Sequence, residues 1–177
     1  MKKLSFLIIV AAVIVMIPSL AAAQTATGTL TVTATVNSSI NLVFNNDVAG
    51  VPLSSGAGTN TATLNFGNVS AFGAVAANIT RTTTATTFTV STPVDVLVTK
   101  ANSASANYTL KAQLGAADAV NTWQVGGTAV TNAAQSTITA TGAYAANVPE
   151  AIAITVPFTT ANATAISNTI NFTATAN

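Results

Sequence analysis

The chain has no cysteine and no histidine. The first absence removes disulfides, thiolate nucleophiles and any lipid anchor on sulfur. The second removes the usual general base, and together they remove the ordinary zinc ligands. Charge is nearly as scarce, with five lysines and arginines and four acids in 177 residues. Beyond residue 23 three bases (Arg81, Lys100, Lys111) face four acids (Asp47, Asp95, Asp118, Glu150), a net charge of −1. Bases so few and scattered do not track a phosphate backbone, which argues against a nucleic-acid partner. Helical periodicity is also missing beyond the first residues. What is present is apolar residues, half of the chain, set among Thr, Ser, Asn and Ala. Such a surface has little electrostatic repulsion to keep copies apart, and it suits a protein that assembles or lies in a surface layer.

The first 23 residues read as a signal peptide. Lys2 and Lys3 make a basic start, residues 4–17 an apolar run, Pro18 a break, and Ala21, Ala22 and Ala23 a small-residue cleavage site before Gln24. An uncleaved anchor is the alternative, because the apolar run is only slightly short of a membrane span. Cleavage between Ala23 and Gln24 would leave residues 24–177 as a single domain, secreted or at the cell surface, in the periplasm or outside the cell. Contact with a membrane is then expected only through the signal peptide before cleavage.

The strongest pattern follows at once. Across residues 25–36 every odd position is threonine, and the even positions from 26 are Ala, Gly, Leu, Val, Ala and Val. Ile40, Leu42 and Phe44 keep the phase. A period of two marks half-buried strand, and threonine suits its wet face. Further alternation is expected at residues 61–66, 86–90, 93–99, 108–114, 137–144, 150–156 and 165–176. Gly126-Gly127 predicts a tight hairpin between residues 122–125 and 128–131, and Pro93 predicts a strand start or an edge. Strands at intervals of about ten residues with Gly, Pro and Asn between them predict an all-β sandwich or barrel. A membrane barrel would need aromatic girdles, whereas the nine aromatics beyond residue 23 are spaced as core plugs would be.

Catalytic constellations are weak. Ser103 or Ser105 near Lys100 makes a formally possible serine–lysine pair, in a polar turn that gives no sign of a buried lysine. The four acids are isolated and read as solvated charges rather than a glycosidase pair. Asn45, Asn46 and Asp47 would offer oxygens to calcium but suit an Asx-rich turn better. Gly56-Ala57-Gly58 lacks the third glycine and the helix of a dinucleotide loop. Six Asn-x-Ser/Thr sequons (Asn37, Asn68, Asn78, Asn107, Asn162, Asn171) matter only in a glycosylating host. Trp123 is either a core plug or an exposed stacking ring. No catalytic residue, cofactor or metal is expected.

The threonine-rich opening strand, the Leu64-Asn65-Phe66-Gly67-Asn68 turn and the closing Ile170-Asn171-Phe172-Thr173-Ala174 strand resemble bacterial secreted pilin-like surface proteins of the spore-coat-U type and related β-sandwich families. Chaperone–usher pilins usually have a cysteine pair and a penultimate aromatic, and this chain has neither. The resemblance implies an immunoglobulin-like antiparallel sandwich and a non-enzymatic structural or adhesive subunit. Its partners would be copies of itself or other surface subunits. Assembly would proceed by donating Thr25, Thr27, Leu30, Val32, Ala34 and Val36 as a strand to a neighbour. The same segment would otherwise be the first strand of its own domain. The alternative function is a monomeric carbohydrate- or ligand-binding module using loops near Asp47, Asp118 or Trp123.

Overall fold

The structure, a computed structural model, describes residues 27–177. The expected signal peptide, its cleavage site at Ala23 and Gln24, and Thr25 lie outside the described residues. The chain divides into two units, Met1–Thr35 and Val36–Asn177. In the first, the described residues 27–35 form no strand and are exposed; Leu30 is 86% and Val32 80% exposed. The long opening strand expected from the alternation is therefore reduced to β1 (Ser39–Asn45). An extended segment gains little on its own: its backbone bonds go to water, and a strand needs a neighbour for stability.

The second unit is all-β, with no helix among the described residues. After β1 come β2 (Thr80–Thr83), β3 (Thr87–Ala101), β4 (Tyr108–Leu114), β5 (Thr122–Val125), β6 (Thr128–Val130), β7 (Ser136–Gly142), β8 (Asn147–Pro157) and β9 (Ile170–Ala176). They make two antiparallel sheets. The larger has the order β1-β3-β8-β5-β6 with β2 also on β3, and the smaller is β7-β4-β9. Gly126 and Gly127, with φ of 56° and 78°, make the expected hairpin turn between β5 and β6, since two consecutive positive φ values match the twist of the flanking strands.

Of the two expectations for Pro93 the strand start fails, since it sits inside β3, and the edge holds locally. One edge of β3 is paired with β8 from Thr87 to Leu97, Pro93 lying opposite Ala151. The other edge changes partner at this point, because β2 pairs up to Ser91 and β1 begins at Asp95. A residue without an N–H fits where no ladder bond is required. The gap is closed by Gly50, buried against the Pro93 carbonyl. Thr92 hydroxyl donates to Asn78 O and accepts from Val51 N–H, both at 2.8 Å, and Asn78 Nδ2 donates to Gly50 O at 2.9 Å.

The two sheets share an apolar core. At one end Tyr108 and Leu110 of β4 pack on Val96 and Val98 of β3. Toward the other end the small sheet contributes Ala112, Leu114, Ile170 and Phe172, while β3 and β8 offer Phe88, Val90, Ile154 and Val156. There the cover comes from irregular chain, including Leu64, Phe66, Val69 and Ile166. Residues 61–66, expected as a strand, keep their alternate faces (Ala62, Leu64 and Phe66 half-buried) but form only an isolated bridge, Ser55 with Thr63.

Candidate functional site

The difference in strand number between the sheets leaves a groove. A cavity of about 1390 Å³ lies between them. Its floor is the apolar face of β3 and β8, with Val90, Val94, Ile152 and Ile154, and the Trp123 ring of β5. Residues 62–72 form one wall; the other is residues 160–170 with Phe172 of β9. β9 pairs with β4 along its whole length, Ile170 opposite Leu114 and Ala176 opposite Tyr108. Among the described residues no strand pairs with its outer edge. The site therefore combines an apolar trough with an edge whose outward N–H and C=O groups have no ladder partner, the arrangement that accepts an added strand.

The described residues of the opening segment have the complementary character. Leu30, Val32 and Val36 are 86%, 80% and 74% exposed. Thr27 and Ala34 are exposed as well. No charged residue occurs between Gln24 and Phe44, so burying this stretch would desolvate no ion.

The aromatics are not all plugs. Trp123 is 5% exposed, and its indole N–H donates to Asp118 Oδ2 at 2.8 Å. Phe72 is instead 72% exposed and Phe158 39%. Their ring centroids lie 5.7 Å apart, and Phe158 stacks at 6.4 Å on Phe88 in the floor. This rim was not legible in the alternation: apart from Phe72, residues 69–77 are small and irregularly apolar, and Phe158 follows the proline that closes β8.

The polar candidates are each absorbed locally. Lys100 Nζ donates to the Ser105 carbonyl and lies 4.9 Å from the Tyr144 ring centroid, while the Ser105 hydroxyl donates to Asn107 O. No serine–lysine couple forms, because the lysine meets a carbonyl rather than a hydroxyl. Asn46 Oδ1 and Asp47 Oδ1 accept from Leu53 and Ala49 N–H groups, as an Asx-rich turn requires. Among the described residues no three His, Cys, Asp or Glu gather as metal ligands. Gly56 and Gly58 are turn residues with φ of 76° and 80°.

The acids depart from the solvated reading at two positions. Asp95 and Glu150 are buried. Glu150 shares the inward face of β8 with Ile152, Ile154 and Val156, a phase already visible in the sequence. Burial raises its carboxyl above the usual range, partly offset by the Thr139 hydroxyl donating to Oε1 at 3.2 Å. Burial raises the Tyr108 phenol, with the Glu150 charge adding to it, and the Tyr108 hydroxyl has no hydrogen-bond partner. Asp95 is raised by burial and then by Asp47, against a bond from Asn147. Asp118 moves the other way. Burial pushes it up, but donors from the Asn121 and Val120 backbone and the Asn121 and Trp123 side chains prevail and hold it at about 2.

Comparison with family models, with curated proteins and with solved structures finds no match to this chain.

Proposed function

We propose that this chain is an exported, non-enzymatic structural or adhesive subunit of the cell surface that assembles by β-strand addition. In this reading its domain is an immunoglobulin-like sandwich left one strand short, and its partners are copies of itself or other surface subunits. One observation carries the proposal: the outer edge of β9 is unpaired among the described residues, and Ile170 and Phe172 at its start line an open groove with an apolar floor. The exposed, alternating residues 27–36 support it from the other side. Ten residues of strand span roughly 33 Å at ~3.3 Å each. The floor from Phe88 to Val96 on β3 runs for about 30 Å on the same basis.

Burying Leu30, Val32 and Val36 and forming backbone bonds to β9 would drive occupancy, and ordering the segment together with the loss of translational freedom on association would oppose it.

The test is removal of residues 24–36 from the mature chain, followed by size-exclusion chromatography and electron microscopy. Strand donation predicts oligomers or filaments from the intact mature chain and a folded monomer from the deletion. An unfolded deletion product would instead mean that the segment belongs to its own domain.

A further inference from the structure

The rim of the groove contains a feature that strand addition in general does not require. Phe72 lies on a loop, residues 70–73, that is held unusually firmly for one displaying a bare aromatic ring. Arg81 on β2 donates Nη1 to Ser70 O at 2.9 Å and Nη2 to Gly73 O at 2.8 Å. Thr83 hydroxyl donates to Ala71 O at 3.3 Å, and Ser70 hydroxyl to Phe72 O at 2.8 Å. Gly73 takes a φ of 87°, which a larger residue would adopt only with strain. β2 is itself zipped to β3 through Thr80–Ser91 and Thr83–Phe88, so the loop is tied to the floor of the groove. Arg81 is the only arginine in the chain. Its guanidinium spans two carbonyls of this loop, the fork geometry that a lysine does not reproduce.

The result is a row of rings leading from buried Phe88, 8% exposed, through Phe158 to Phe72 at the surface. It stands at one end of the groove only. The donor pattern is asymmetric too: of its even positions from 30 to 36 (Leu, Val, Ala, Val), the bulkiest lies at the N-terminal end. Resting on the strand-addition reading above, we infer that Phe72 and Phe158 form the seat for Leu30 of a second copy's opening segment. Arg81 is the positioning residue that presents Phe72. β9 runs from the Phe88 end of the core, at Ile170, toward the Tyr108 end, at Ala176. Seating Leu30 at the aromatic end therefore sets the donated strand parallel to β9, with Val32, Ala34 and Val36 following into the trough.

Because the chain has no cysteine, single cysteines can be placed without a background. Leu30→Cys and Phe72→Cys versions of the full chain, mixed and oxidised, should give a disulfide-linked heterodimer, a bond that forms only where the two Cα atoms can come within ~7 Å. Val36→Cys mixed with Phe72→Cys should give none. Arg81→Ala should weaken self-association about tenfold or more while the domain stays folded. Arg81→Lys should recover little of that loss, and combining Arg81→Ala with Leu30→Ala should weaken association no further than either alone. Cross-linking through Val36, no cross-linking through Leu30, or unchanged association of Arg81→Ala would overturn the seat while leaving strand addition intact. A wild-type chain that stays monomeric at every concentration would overturn the underlying reading as well.

Discussion

Replacing Gly50 by alanine tests how the groove floor is kept continuous. A Cβ at Gly50 would stand 2.1 Å from the Pro93 carbonyl oxygen. That oxygen belongs to the middle of β3, which is held on its far edge by the ladder to β8, so it has little freedom to yield. Opening the contact to the ~3.3 Å usual for carbon and oxygen means a shift of about 1 Å. That movement pulls Gly50 O from Asn78 Nδ2 and Val51 N–H from the Thr92 hydroxyl. Thr92 is 1% exposed, so its lost partner is not replaced by water. Losing those two bonds costs about 1–3 kcal/mol and overpacking costs about 1–3 kcal/mol, giving an expected loss of about 2–6 kcal/mol. Against the 5–15 kcal/mol typical of whole domains, that is severe. Urea unfolding of the full chain should show a much lower midpoint with an unchanged slope. Gly127→Ala, where no atom lies within 4 Å and φ is 78°, serves as the comparison and should lose only about 1–2 kcal/mol from backbone strain. A Gly50→Ala protein within 1 kcal/mol of wild type would refute the claim that Gly50 seals the break beside Pro93.

Glu150 predicts an unusual pH dependence. Its carboxyl is raised by burial, so the folded state binds its proton more tightly than the unfolded chain. The associated stability is complete below the unfolded pKa of about 4.3 and falls as pH rises through the folded value. Denaturant titrations across that window should show wild type weakening with pH and Glu150→Gln weakening less, the residual slope belonging to Asp95, which is raised in the same direction. Parallel curves for the two proteins would refute it. Asp118→Asn should cost about 1–2 kcal/mol at neutral pH, since an amide cannot reproduce every bond accepted from Asn121 and Trp123, and Trp123 fluorescence should shift with it. In wild type that contribution is present above the ordinary carboxylate range and is lost as pH falls toward about 2.

The strand segments and the inward faces were legible because alternation reports which side chains are apolar. Residues 108–114, 122–131 and 150–156 emerge as β4, the β5–β6 hairpin and the inner part of β8. What alternation does not report is pairing. Ala62, Leu64 and Phe66 turn toward the core as their phase requires, yet the backbone there bonds across only through Ser54 N to Thr63 O and Thr63 N to Ser55 O. β2, Thr-Arg-Thr-Thr, was invisible for the opposite reason: it lies at an edge, buries little and forms through its ladder to β3. Pro93 marked an edge rather than a strand start, because a change of partner leaves one side of β3 with no donor required at that point. Glu150 was discounted on its charge although its phase with Ile152 placed it inside.

The same distinction governs the opening segment. An apolar alternation states what kind of surface a strand must meet and says nothing of which chain supplies it. If residues 27–36 were a permanent part of their own sheet, Leu30 and Val32 would resemble Leu110 or Val96, each 1% exposed; in the structure they are 86% and 80% exposed. A chain with so little charge has few means of keeping such a stripe from nonspecific contact. The groove beside β9 has the apolar lining, the length and the unpaired edge that the stripe lacks. Seated in a second copy, one strand would cover both hazards at once, and the donor's own groove would remain free for the next subunit.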